Sequence, residues 1–242
     1  MNILVTNDDG IEAIGIKILA SKLKKYGDVY VVAPNKHMSG ASHSFKLSPI
    51  SCVPAKFDDE IMAFHSSGTP VDCVRIGNAL IDVNFDVAFS GVNSGLNVGT
   101  DILYSGTVGA AREALIEGIP SVAISTDFDS FEIVNSELDD VLRLIFENKL
   151  YSKKYVLNIN FPTKEYKNSQ GVKAAIQGIK VFKTKFNIDI DNVYKQENQE
   201  CILDDNSLTD VYLTKNGFIS LTPLKIEQTD FDSLSIIKNA IE

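Results

Sequence analysis

Short, strongly apolar runs alternate with stretches of helical spacing through the first two thirds of the chain. That alternation restricts the fold more than any other feature. Ile3–Thr6, Val29–Ala33, Asp86–Phe89, Ser121–Ile124 and Val156–Ile159 read as buried strands. Between them, Ile14–Leu23 places Ile14, Ile16, Ile18, Leu19 and Leu23 at helical spacing. Thr69-Pro70-Val71 opens a helix that runs to Leu80, with proline in its first turn. Thr107–Ile116, closed by Gly118, and Leu138–Phe146 are further helices, and Phe45–Ile50 is predicted as a short extended segment. Strands apolar on both faces and joined by helices call for a parallel sheet covered on both sides. Right-handed crossovers then give a doubly wound, Rossmann-like α/β fold.

After Pro162 the pattern changes. Residues 163–215 are rich in Lys, Asn, Gln and Asp, with strand-like runs such as Ile179–Phe182. Phe218–Leu221 reads as one more strand before Pro223, and a short helix is predicted near Ser233–Ile241. The expected division is an α/β core over 1–162 and a C-terminal appendage over 163–242, part of it an extended arm.

Open parallel sheets bind ligands beyond the carboxyl ends of their strands. The polar residues that follow the predicted strands therefore define one candidate site. Strand one delivers Asn7, Asp8 and Asp9; the loop after strand two carries Ser39. Strand three is followed by Ser90, Asn93 and Asn97, and further on by Ser105 and Thr107. Adjacent carboxylates repel, and a cation relieves that repulsion. Hard oxygen donors of this kind suit Mg²⁺, Mn²⁺ or Ca²⁺. An Asx-turn with a helix cap would use the same residues. In SGVNSGLNVGTDILYSGTVGAAREA, Gly91, Gly95 and Gly99 permit close backbone approach, and Ser105-Gly106-Thr107 precedes a helix. Free N–H groups and hydroxyls at a helix start can cradle a phosphate, or the hydroxyls can simply cap the helix. No lysine follows the glycines as in a Walker loop, and no GxGxxG occurs. His43 could donate a proton or bind phosphate, or be a solvated loop residue; His37 and His65 read the same way. Ser67, Gly68 and Thr69 precede another helix start and could wall the site or cap that helix.

The formal charge of -9 argues against a nucleic-acid groove, which carries a basic excess. Cys52, Cys73 and Cys201 form no CxxC pair and read as buried free thiols of a reducing compartment. Two acids within the first ten residues are incompatible with a signal-peptide core. No apolar run approaches the about 20 residues that span a bilayer. A soluble, cytoplasmic protein without membrane partners is expected.

ILVTNDDGI, VAPNKHMSGASHS, GTPVDCV, SGVNSGLNVGTDILYSGTVGAAREA and LNINFP, in that order over residues 1–162, resemble the SurE family of 5′-nucleotidases, with a fainter echo in GFISLTPL. The resemblance implies one divalent cation per subunit, Mg²⁺ or Mn²⁺, held by Asp8, Asp9, Ser39 and Asn93. It implies a substrate-phosphate pocket of Asn97, Ser105, Gly106 and Thr107. It also implies hydrolysis of nucleoside 5′-monophosphates, with 3′-nucleotides and short polyphosphate as further substrates, and a homodimer or homotetramer assembled through the C-terminal extension. In such a site Asp8 or Asp9 would accept a proton from the attacking water, or Asp8 would itself be the nucleophile. The chain departs from the family pattern at Phe45 and Lys46, at Arg112, and between Lys180 and Asp204, where the usual arm motif is not recognisable. A receiver-like phosphate-sensing module would also carry an acidic pair after strand one. It would need an Asp ending strand three and a Lys after strand five, where this chain has Phe89-Ser90-Gly91 and Asn158-Ile159-Asn160. A dinucleotide-binding dehydrogenase lacks support for want of the glycine fingerprint.

Overall fold

The computed structural model describes residues 1–58, 60–188, 192–203 and 205–241, with the side chains of 198–203 outside the described set. Eleven strands are described: β1 Asn2–Thr6, β2 Asp28–Pro34, β3 Cys52–Pro54, β4 Met62–Ser66, β5 Val87–Ser94, β6 Ser121–Thr126, β7 Val156–Asn160, β8 Val172–Ala174, β9 Lys180–Ile188, β10 Tyr194–Leu203 and β11 Ile219–Leu224. The α-helices are α1 Ile14–Leu23, α2 Pro70–Leu80, α3 Gly106–Ile116, α4 Glu132–Glu147, α5 Asp210–Lys215 and α6 Phe231–Ile241, and a 3₁₀ turn spans Gly99–Leu103.

Nine of these strands form one sheet in the order β3-β4-β2-β1-β5-β6-β7-β11-β8. The run from β4 to β7 is parallel, and β3 and β11 join it antiparallel. Alternation along each strand sends side chains to opposite faces. Ile3, Val5, Val31, Phe89, Val122 and Ile124 face α1 and α4; Leu4, Val32 and Ala88 face α2 and α3. Helices cover both faces, so the doubly wound α/β reading holds.

The differences lie at the edges. Phe45–Ile50 is not a strand, whereas β3 and β4 are. β4 (MAFHS) fully buries only Ala63 and Ser66, so its sequence carries little of the apolar signal of a core strand. β5 runs past Phe89 to Ser94, and α4 starts at Glu132, six residues before the expected Leu138. β11 continues through Pro223 to Leu224. Pairing with β8 ends at Leu221, so at Pro223 the strand has only β7 as a neighbour, where a missing N–H is tolerated. Beyond residue 162, β8 and β11 extend the main sheet. The elements that stand off it are the antiparallel β9–β10 hairpin and α6, which buries no residue. Cys73 is buried and Cys52 only half-buried, a correction to the expectation of uniformly buried thiols; the Cys201 side chain lies outside the described residues. Among the described residues no helix is long and apolar enough to cross a membrane.

Candidate active site

β1 ends one residue before a turn that Asn7 locks from within. Its Nδ2 donates to the Gly10 carbonyl at 2.9 Å, and its Oδ1 accepts from the Gly10 N–H at 3.2 Å. The turn is stitched to the end of β2 by Ile11 N–H to the Pro34 carbonyl at 2.9 Å, and Met38 N–H donates to the Asp8 carbonyl at 2.7 Å. The turn is thus closed by Asn7 across three residues, not by an Asx-turn bond of Asp8 or Asp9. It sets the two following carboxylates at the carboxyl edge of the sheet.

Asp8 and Asp9 have different surroundings. Asp8 is 5% exposed and its Oδ1 accepts from the Thr107 hydroxyl at 2.5 Å. The first residue of α3 closes over it: a Cβ on Gly106 would stand 3.0 Å from both Cβ and Oδ2 of Asp8. Only glycine lets the helix start approach so closely. Burial pushes the Asp8 carboxyl up to about 6, with the Thr107 hydrogen bond opposing and the Asp9 charge adding. Asp9 turns toward the neighbouring loops. Its Oδ2 accepts from Ser94 N–H at 3.0 Å and its Oδ1 lies 3.1 Å from His37 Nδ1. The loops leaving β1, β2 and β5 thus converge on this acidic pair.

Asn93 precedes the Ser94 that touches Asp9, and its Nδ2 donates to the Gly95 carbonyl at 2.6 Å. The strand reaches this point through Gly91, whose φ is +133° and whose Cβ would lie 2.2 Å from the Ile124 carbonyl oxygen. Ser39 sits in the exposed turn closed by Ala41 N–H to Met38 O at 3.2 Å, between His37, which meets Asp9, and the rest of the loop. Its hydroxyl has no partner among the described residues.

The expected phosphate residues divide by what their hydrogens already do. Ser105 is the N-cap of α3, its Oγ accepting from Val108 N–H at 3.1 Å. A capping hydroxyl uses an oxygen lone pair, so its own proton stays available to a ligand. Thr107 instead spends its proton on Asp8. Asn97 is held inside the protein: Nδ2 donates to Ser125 Oγ at 2.8 Å, and its N–H donates to Asn160 Oδ1 at 2.8 Å. Its carbonyl accepts from Nδ2 of Asn158 and of Asn160 at 2.9 and 3.0 Å.

The sequence does not assign Asn158 and Asn160, and it leaves His37 open between a functional and a solvated-loop reading. His37 meets Asp9, with no sequence signal beyond its place after β2. Asn158 and Asn160 are fully buried in β7 and hold the Asn97 loop. Polar residues alternating in an otherwise apolar strand were the available clue. Other candidates lie elsewhere. His43 is 2.7 Å from Glu113 Oε2 on α3, and His65 pairs within β4 with Ala33 of β2. Thr69 forms a capping box with Asp72, as a cap reading requires.

Residues 3–184 match the family model described as Survival protein SurE. A protein of Clostridium botulinum (strain ATCC 19397 / Type A) named 5′-nucleotidase SurE is 41% identical over 244 residues, covering 97% of this chain and 96% of that protein. One of the same name from strain Alaska E43 is 38% identical over 253 residues and covers all of both chains. The crystal structure of the SurE protein from Aquifex aeolicus superposes over the full length of both chains with a TM-score of 0.82 at 32% identity. The acidic turn after β1, the loop after β5 and the helix start over Asp8 all fall within the matched residues, and the chain belongs to the SurE family.

Proposed function

We propose that this protein is a 5′-nucleotidase that hydrolyses the phosphomonoester of nucleoside monophosphates, with one divalent cation held by Asp8, Asp9, Ser39 and Asn93. The observation that carries the reading is the acidic pair itself. One carboxylate lies under the N-terminus of α3 and the other against the end of β5, where three loops meet. The relatives named 5′-nucleotidase SurE support the choice of substrate.

The donor set fits a hard cation: two carboxylates, an amide oxygen and a hydroxyl, all oxygen ligands. When bound, such a cation polarises phosphoryl oxygens and lowers the pKa of water. The remaining work falls to the chain. The Ser105 hydroxyl proton and the N–H groups of Gly106 and Thr107, which have no intrahelical acceptor, point donors at a phosphoryl oxygen. Donors fixed before the reaction stabilise developing charge without reorganising. Thr107 positions Asp8 rather than binding phosphate. Asp8 Oδ2, the oxygen not engaged by Thr107, is the acceptor for the proton of the attacking water. Asn97 shapes the loop between β5 and α3, braced from β7.

Phosphate release from 5′-nucleotides, 3′-nucleotides and short polyphosphate, each with Mg²⁺, Mn²⁺ or EDTA, tests this reading. Release from AMP or GMP that needs the cation is expected; no release from any 5′-nucleotide removes the assignment. The proposed assembly is a homodimer or homotetramer. Its support is α6, where Phe231, Leu234, Ile236, Ile237 and Ile241 all remain exposed on the single chain. A monomeric mass by light scattering would sink that part. A cytoplasmic location, proposed for the protein, is in keeping with the unpaired Cys52 and Cys73.

A further inference from the structure

From the end of β5 to Ser105 the chain crosses to the start of α3, and its path fixes where the phosphate donors stand. Asn97 on this path is held from β7. Gly99, two residues on, is held from a different part of the chain. Asp210, the first residue of α5, is fully buried, and the Gly99 N–H donates to both of its carboxylate oxygens at 3.1 Å. The N–H groups of Gly178, ahead of β9, and of Val211 donate to Oδ1 at 2.9 and 2.8 Å. The Gly99 carbonyl in turn accepts from Gln177 Nε2 at 3.0 Å. Both backbone polar groups of Gly99 are therefore met by residues beyond 162.

A buried Asp at a helix start can simply serve its own helix. Here α5 supplies only the Val211 N–H; the other two donors lie 111 and 32 positions away. Close approach supports the same connection. Gly99 has a φ of +56°, and a Cβ on it would stand 2.9 Å from Val211 Cγ2 and 3.2 Å from the Lys180 nitrogen. A carboxylate buried among three N–H donors is costly to disturb, because each freed donor would lose its partner away from water.

What is fixed at Gly99 is carried to the helix start by a short, packed turn. Ile102 of the 3₁₀ turn is buried against Val108, Ala111 and Leu115 of α3. Tyr104 N–H donates to the Asp101 carbonyl at 3.0 Å, and Ser42 N–H to the Tyr104 carbonyl at 3.1 Å. Ser105 follows directly.

We propose that Asp210 is a positioning residue of the active site, which fixes the Ser105–Thr107 phosphate donors by holding Gly99. The assignment rests on the hydrolase reading above. It makes the chain beyond residue 162 part of the catalytic framework, although Asp210 touches no reacting atom.

Asp210→Asn tests it, since the variant keeps the side chain's size and turns one acceptor oxygen into a donor facing other donors. Hydrogen–deuterium exchange of the full chain, without substrate, should quicken about tenfold in peptides covering 97–104 and stay unchanged in β1 and β6. Turnover of AMP should fall about tenfold in kcat with KM little changed, because misplaced donors lose contact chiefly with the charge that develops in the transition state. Gln177→Ala, a milder change at the protein surface, should move both readouts in the same direction by less; it decides the question if Asp210→Asn does not fold. Unchanged exchange at 97–104, exchange quickened equally throughout the sheet, or a normal kcat despite a loosened loop each overturns the positioning role. If the unaltered protein releases no phosphate from any 5′-nucleotide, the hydrolase reading fails and with it the catalytic role, while local exchange still shows whether Asp210 holds the loop. If AMP is hydrolysed at the same kcat with and without the Asp210 carboxylate, the positioning role fails and the hydrolase reading stands.

Discussion

The carboxyl edge of the sheet and the β9–β10 hairpin are built on opposite plans. At the sheet edge a set of buried polar groups brace one another, while the Thr6 and Ser90 hydroxyls and Asn158 Oδ1 meet no partner among the described residues. Asp8 is held by Thr107, Asn97 by Asn158, Asn160 and Ser125, and the acidic turn by Asn7. Along β9 the side chains are almost all exposed, and the strand's attachment to the core runs through Lys180, Asp101 and Thr100 at its start. Buried polar networks fix geometry because an unmet partner costs free energy. An exposed hairpin has no such constraint and can vary its side chains without unsettling the core. The proposed hydrolase chemistry belongs to the first region.

The largest expected effect breaks the comparison if it fails. Asp8→Asn keeps the size of the side chain and an acceptor for Thr107, so the fold should survive. Metal-dependent phosphate release should fall about 10³-fold, or ~4 kcal/mol of barrier. Near-normal turnover would remove Asp8 from the chemistry.

The next effect is on stability and concerns Asp8 without its cation. Burial raises its carboxyl from 3.8 to about 6, so between those values the folded chain holds a proton that the unfolded chain releases. In EDTA the stabilising effect of that proton is full below about pH 4 and is lost as pH rises through 6, a decline of about 3 kcal/mol. Urea midpoints measured from pH 4 to 7 should show it. The part due to Asp8 is the part that Asp8→Asn abolishes; buried Asp210, also raised by burial, contributes in the same sense and remains in the variant. Identical slopes in the two proteins would sever burial of Asp8 from its titration.

Asn160→Ala sharpens the claim that the edge is braced from behind. It leaves the Asn97 N–H without its acceptor, which should cost about 1–3 kcal/mol in unfolding free energy and slow phosphate release. A neutral result would mean that the network does not hold the loop. The smallest effect belongs to the hairpin: Phe186→Ala should change the melting transition by no more than about 0.5 kcal/mol equivalent, because an exposed ring away from the core contributes little to folding. A large destabilisation would show that the hairpin supports the core, and the contrast between the regions would collapse.

Much of this was legible along the chain. The five core strands, the helices between them and the placement of Asp8, Asp9 and Ser105 beyond strands follow from apolar spacing and turn residues, whereas Asn93 lies within β5, which runs on to Ser94. β4 was not legible, because although it lies between β3 and β2 only Ala63 and Ser66 of its five residues are buried, which leaves little apolar signal. The membership of β8 and β11 in the main sheet was hidden by the polar stretch around them, whose composition resembles that of the arm.

Local pattern is enough to place a strand, since a residue's face depends on neighbours two, three or four positions away. It was therefore the sequence that settled the α/β layering and the edge at which the oxygen donors emerge. Pairing among those donors depends on contacts across 99 residues for Thr107 with Asp8 and 85 for Ser94 with Asp9. Only the folded chain decides that Ser105 caps and keeps its proton and that Thr107 gives its proton to Asp8. Hydrogen bonds at such separations leave no periodic trace in sequence, because nothing in the intervening chain must repeat for them to form.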